Sequence, residues 1–134
     1  MMAGLDDGGN MAKLIPDTGL DQLLDWVALG TKLVVCSTQP TTYTEANATY
    51  ALADIVLDAA DFTKADDTSG RKVTVGAQSA FLIDTSGTAE HIAIISTADT
   101  TLRAVTTCTS QALVANGSNT VSTPAFKVSI SDPT

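Results

Sequence analysis

Lys72-Val73-Thr74-Val75, His91-Ile92-Ala93-Ile94-Ile95, Leu102-Arg103-Ala104-Val105 and Phe126-Lys127-Val128-Ser129-Ile130 decide the fold. All four lie within residues 70–133, all are short and rich in β-branched or other apolar side chains, and Gly, Asp, Asn and Ser clusters separate them. β-Branching restricts side-chain rotamers and suits a half-buried pleated surface, so such runs read as strands of an antiparallel domain. Asp66-Asp67-Thr68-Ser69-Gly70 and Asp84-Thr85-Ser86-Gly87 read as turns between them. Ala115-Asn116-Gly117-Ser118-Asn119 carries the Asn-Gly signal of a tight hairpin. About seven or eight strands at roughly ten-residue spacing predict a mainly β fold. The expected form is an antiparallel β-sandwich, jelly-roll or immunoglobulin-like, from about residue 32 to 131, with one N-terminal α-helix.

That helix is expected at about residues 18–29. Leu20, Leu23, Leu24 and Val27 recur at helical spacing, Asp17 or Thr18 can cap the start, and Gly30 can stop the end. Trp26, the single tryptophan, sits beside the apolar stripe and reads as a plug between helix and sheet. Leu33-Val34-Val35-Cys36 reads as a buried strand. Thr38 to Asn47 reads as a polar loop, with Pro40 interrupting regular structure. Ala48 to Leu57 reads as a short turn leading into a strand at Ile55-Val56-Leu57. Residues 1–10, rich in Gly and Asp, are expected to form a flexible arm, and residues 11–134 a single β-rich domain. Met11 offers a second possible start.

Composition narrows the function. A chain of 134 residues can build a real core, and with 4% aromatics that core must rest on Val, Ile, Leu and Ala. The net charge of −8, with only 7 Lys and Arg, argues against nucleic acid, whose binders gain affinity by neutralising phosphates. Anionic membranes are disfavoured for the same reason, and no stretch is long and apolar enough to span a bilayer. An acidic surface suits docking to a basic protein patch.

Reactive side chains are few. Asp17, Asp21 and Asp25 share one helix face, but acids near a helix N-terminus ordinarily serve the dipole and stay solvated, so no metal site is assigned. His91, flanked by Glu90 in a predicted strand, reads as a structural histidine bonded to backbone rather than a general base. Cys36 and Cys108 read as reduced, buried thiols; their spacing leaves open whether they meet. Ser69-Gly70-Arg71-Lys72 is too little for a phosphate cradle, and Arg71 reads as a salt-bridge partner for an acidic neighbour, with a subunit interface as one place for it. No catalytic residues and no cofactor are assigned.

The order Cys36-Ser37-Thr38-Gln39-Pro40-Thr41-Thr42-Tyr43, Ser69-Gly70-Arg71-Lys72-Val73, Ser86-Gly87-Thr88-Ala89-Glu90-His91, Val105-Thr106-Thr107-Cys108 and Ser131-Asp132-Pro133 resembles small virion proteins of tailed bacteriophages, over about residues 11–134. The resemblance implies a capsid cement, or decoration, protein on the capsid exterior. Its partner would be the major capsid protein, and its own state a homo-oligomer, guessed as a trimer. It would pass through the host cytoplasm during assembly. The expected contact surface is the loop of Thr38, Gln39, Pro40, Thr41, Thr42 and Tyr43, with Arg71, because binding residues concentrate on loops held by a rigid scaffold. Two alternatives share the compositional profile. One is another phage structural role, in a head–tail connector or tail. The other is a carbohydrate-binding module, for which Trp26, Tyr43 and Tyr50 are the candidate platforms, Tyr43 first.

Overall fold

The computed structural model describes residues 15–133, so the arm expected at residues 1–10 lies outside the described residues. Helix α1 (Asp17–Ala28) is followed by β1 (Lys32–Cys36), a π-helical turn (Glu45–Thr49) and β2 (Ala51–Val56). A 3₁₀ turn (Ala59–Asp61) leads to β3 (Phe62–Asp66), β4 (Arg71–Val75) and β5 (Gln78–Leu82). The chain then runs through β6 (Gly87–Ser96), β7 (Thr101–Leu113), β8 (Thr120–Thr123) and β9 (Phe126–Ile130). The fold is therefore mainly β with one helix, as the sequence implies. All strand pairs are antiparallel, in a four-stranded sheet of order β2-β1-β6-β7, a three-stranded sheet β3-β4-β9 and a two-stranded sheet β5-β8.

Alternation along β1 and β6 explains where the cores form. Leu33 and Val35 point to the same side as Ile92 and Ile94, where they meet Val75 from β4, Phe81 from β5 and the partly buried Val121 and Phe126 from β8 and β9. Val34 and Cys36 point the other way with Ala93 and Ile95, and there Ala46, Tyr43 and Tyr50 cover them. Both faces of the central strands are thus buried, which is why Leu33-Val34-Val35-Cys36 and Ile92–Ile95 read as continuous apolar runs rather than alternating ones.

Local chemistry accounts for the turns and one misreading. The Asp66–Gly70 turn joins β3 to β4 as expected; Gly70 adopts φ 76°, and a Cβ there would collide with the Ile130 carbonyl. The Asn-Gly turn at Asn116-Gly117 also forms, with Asn116 Oδ1 accepting from the amides of Ser118 and Asn119, but it is not a hairpin. β7 pairs with β6 and β8 pairs with β5, so the connection carries the chain from one sheet to another. The local signal is a turn signal; pairing is settled by where Leu113 and Val121 find apolar cover.

α1 lies against the three-stranded sheet. Leu24 and Val27 pack on Val73, with Phe62, Val128, Ile130 and Ala104 around them. Leu20 is buried too, but Leu23, expected on this face, is 50% exposed. Each residue turns the helix by about 100°, so Leu20, Leu24 and Val27 cluster on one line and Leu23 falls at its flank, about 40° beyond Val27 and toward Trp26. Nor does a side chain cap the helix: the chain enters through Pro16, whose carbonyl accepts from Gly19 N–H at 2.8 Å, and Asp17 sits within the first turn. Gly30 follows the helix end because the chain passes close to β6 there; a Cβ would overlap Ile94 Cγ2.

Substitution should separate the two leucines. Leu24→Ala leaves a cavity over Val73 and should cost about 3 kcal/mol, whereas Leu23→Ala should change stability by less than about 0.5 kcal/mol, read by urea unfolding. Equal losses would place the packed face of α1 elsewhere.

Candidate functional site

The helix is held by charge on two sides. On its acidic side, Arg71 from β4 donates Nε to Asp21 Oδ1 at 2.9 Å and Nη2 to Asp21 Oδ2 at 3.3 Å, while its Nη1 reaches Asp66 Oδ1 at 2.8 Å. Lys64 from β3 pairs with Asp25 and lies 3.9 Å from Asp21. The planar guanidinium makes a fork that an ammonium does not match. Asp21 and Asp25 therefore face cations of the sheet rather than converging on an ion. Arg71 finds its acidic partners within its own chain.

At the C-terminal end, Arg103 from β7 is 8% exposed and makes a second clamp. Its Nη1 donates to the Trp26 carbonyl, Nη2 to Asp99 Oδ2 at 2.8 Å and Nε to Thr101 Oγ1 at 2.7 Å. The last turn of α1 contains no basic residue, so Arg103 supplies the positive charge that the end of the helix dipole favours. The same guanidinium stacks on the Trp26 ring, 4.5 Å from its centroid. Trp26 is accordingly not a buried plug: it is 40% exposed, with Arg103 against its ring.

These clamps leave an apolar stripe on the outer side of α1. Leu23, Trp26 and Leu29 are 50%, 40% and 66% exposed, and Ile15 continues the row past Gly19. Exposed apolar groups lying together on a rigid element mark interaction sites more often than scattered ones do. Sequence reasoning placed Leu23 and Trp26 toward the core and missed this surface. The signal was present: α1 carries more large apolar residues than one buried line can absorb, and the surplus falls at positions 23, 26 and 29.

The loop expected to make contacts is more ordered than its composition implies. Thr38, Gln39, Thr41 and Thr42 are exposed, Tyr43 is half-buried and Pro40 is fully buried. From Tyr43 onward the chain is helical and runs into the π-helical turn. Glu45 Oε1 accepts from the Thr41 amide and hydroxyl, both at 2.8 Å, and Glu45 N–H donates to Thr42 Oγ1 at 3.1 Å. Thr42-Tyr43-Thr44-Glu45 is a capping-box spacing, the overlooked cue to this turn. The loop sits over Val34, Ala93 and Ile95, and Arg71 sits under α1, which packs beside Ala104 on the Ile94 side of the same sheet. The structure does not bring Arg71 and the loop together.

The remaining reactive groups are quiet. His91 pairs across the sheet with Cys36 and Thr107, and its Nδ1 is buried with no partner among the described residues, rather than bonded to backbone. Both cysteines are free thiols; Cys36 is buried and Cys108 half-buried. Burial, and then the nearby Cys108, pushes the Cys36 thiol up to about 12, and burial raises Cys108 as well, so neither is poised as a thiolate. A cleft of about 120 Å³ opens between Ala89, Ile92, Cys108, Val121 and Thr123, and a wider, shallow depression of about 440 Å³ lies between Ile83, Gln111, Leu113, Val114, Ser118 and Asn119. No described helix is long and apolar enough to cross a membrane. Compared with known protein families, curated proteins and solved structures, the chain matches none.

The ion pairs predict an acid response. The hydrogen bond from Arg71 holds Asp21 below its usual value, Lys127 does the same for Asp67, and the Thr101 hydroxyl and Arg103 for Asp99. Each carboxyl binds its proton less tightly folded than unfolded, so its contribution is complete above the ordinary aspartate range and drains away below it. Melting temperature should hold steady from neutral pH to about 4 and fall below that, and Asp21→Asn should flatten part of the fall. An unchanged acid slope in Asp21→Asn would remove the Arg71 pair from this account.

Proposed function

We propose that this protein is a bacteriophage capsid cement protein that binds the outside of the assembled head through the exposed stripe of α1. The observation that carries the reading is the stripe itself: Leu23, Trp26 and Leu29 stand in solvent on a helix fixed by Arg71, Lys64 and Arg103. A pre-ordered apolar surface loses little freedom on binding, so its burial goes largely into affinity. The exposed Thr38, Gln39, Thr41 and Thr42 offer a second, polar contact on the far side of the four-stranded sheet. The finer architecture we read as a sandwich, with the four-stranded sheet facing the two smaller ones across Leu33, Val35, Ile92 and Ile94.

The role is that of a non-catalytic ligand of the shell. A protein that binds only the expanded lattice stabilises it by mass action, and many repeated weak contacts add through effective concentration. The acidic body favours a basic capsid surface, and disfavours DNA and anionic membranes. The same features fit a tail or connector component, which copy number separates. The glycan reading has less support, because Tyr43 and Tyr50 pack against Val34, Cys36 and Ala46 instead of presenting open platforms.

Co-sedimentation with phage heads tests this. The protein should pellet with assembled, expanded shells and not associate with isolated capsid subunits, because its site is composite. Leu23→Asp and Leu29→Gln should each reduce shell binding at least tenfold while leaving the melting curve close to wild type. Binding to free subunits, or full shell binding by both variants, would refute the stripe as the docking surface.

A further inference from the structure

We infer that β7 is a self-association edge, on which a second copy of this chain adds its own β7 antiparallel. β7 is 13 residues long, pairs with β6 along one side and pairs with no strand along the other among the described residues. An open edge displays a row of unpaired N–H and C=O groups, and proteins guard such rows with Lys, Pro, bulges, short strands or cover. The other edges here carry those guards. β3 holds Lys64 and Asp66, and β9 holds Lys127. β2 is covered by the Ala53–Ile83 bridge and by Asp84 and Thr85 N–H groups donating to the Leu52 carbonyl. β5 and β8 are short, and β5 is broken by a register shift.

β7 shifts register against β6 at two places, between Leu102 and Ala104 and between Thr107 and Gln111, but it carries neither an exposed charge nor a proline along its length. From Ala104 through Phe126 the chain contains no Asp, Glu, Lys, Arg or His, and no proline before Pro124. The one charge in the strand, Arg103, is buried beneath α1 and spent on Trp26, Asp99 and Thr101.

Charge selects the occupant. The chain carries −8, so two copies repel one another over most of their surface, and an uncharged edge is where they can approach without opposing like charges. A basic partner would choose the acidic surface instead. An antiparallel edge is also self-complementary, each strand offering the other the groups it lacks, which is the isologous contact of a two-fold dimer. Pairing of this kind closes at two copies, in place of the trimer that the family resemblance implies. It holds whatever surface the protein docks on, so failure of shell binding leaves it standing.

The test uses the full chain. Sedimentation equilibrium should give a mass twice that of the 13.8 kDa chain, and Thr107→Lys/Thr109→Lys, both at exposed positions, should halve it. The melting curve of that variant reports that the body still folds, and Leu23→Lys on α1 should leave the doubled mass unchanged. Hydrogen exchange supplies an independent reading: amides of residues 104–112 should slow as protein concentration rises, while those of β3 do not. A monomer at every concentration would overturn the inference, as would a dimer that survives the β7 lysines or dissociates with Leu23→Lys. Protection of β7 that is independent of concentration and lost on deleting residues 1–14 would assign the edge to the chain's own N-terminal segment and overturn it equally.

Discussion

The structure depends on how one short helix is tied to sheets that do not need it for their own pairing. Leu24 and Val27 supply apolar contact with Val73, but a helix of 12 residues has little stability alone and several ways to lie on an apolar sheet. Arg103 removes that freedom. Reaching from β7, it bonds the Trp26 carbonyl, stacks on the Trp26 ring and is itself fixed by Asp99 and Thr101. Arg71 and Lys64 set the rotation from the other side by taking Asp21 and Asp25. With axis and rotation both defined, Leu23, Trp26 and Leu29 have only one direction left, which is toward solvent.

That constraint joins fold to function. On the proposed reading, the surface that meets the shell is a by-product of burying the opposite side of α1, and its rigidity comes from charges that never touch the partner. The sequence pattern around Leu20–Val27 carried the helix and its buried line, since periodicity reports which side faces the core. It did not carry the fate of Leu23 and Trp26. Their exposure follows from which line of α1 lies over Val73, Phe62 and Val128, a tertiary fact; the local window shows only that α1 carries more apolar residues than one line can bury.

Other elements divide along the same line. The strands at 72–75, 91–95, 102–105 and 126–130 were legible because β-branched runs between turn residues have few other stable forms. Their pairing was not, as the Asn116-Gly117 turn shows: the same local chemistry serves a hairpin or a crossing between sheets. Arg71 was legible as an ion-pair partner, but Asp21 lies 50 residues away and is found only by folding the chain. Pro40 looked like a loop breaker and is a core residue, held by the turn that Thr42 and Glu45 build beyond it.

The central claim is that this protein holds a filled phage head together, and the most direct measurement is the temperature at which heads release their DNA. Heads lacking the protein should release DNA at lower temperature than complete ones. Adding purified protein should restore the higher value in proportion to the number of copies bound, as mass action requires. Identical release temperatures with and without the protein, at a copy number of hundreds per particle, would contradict the account.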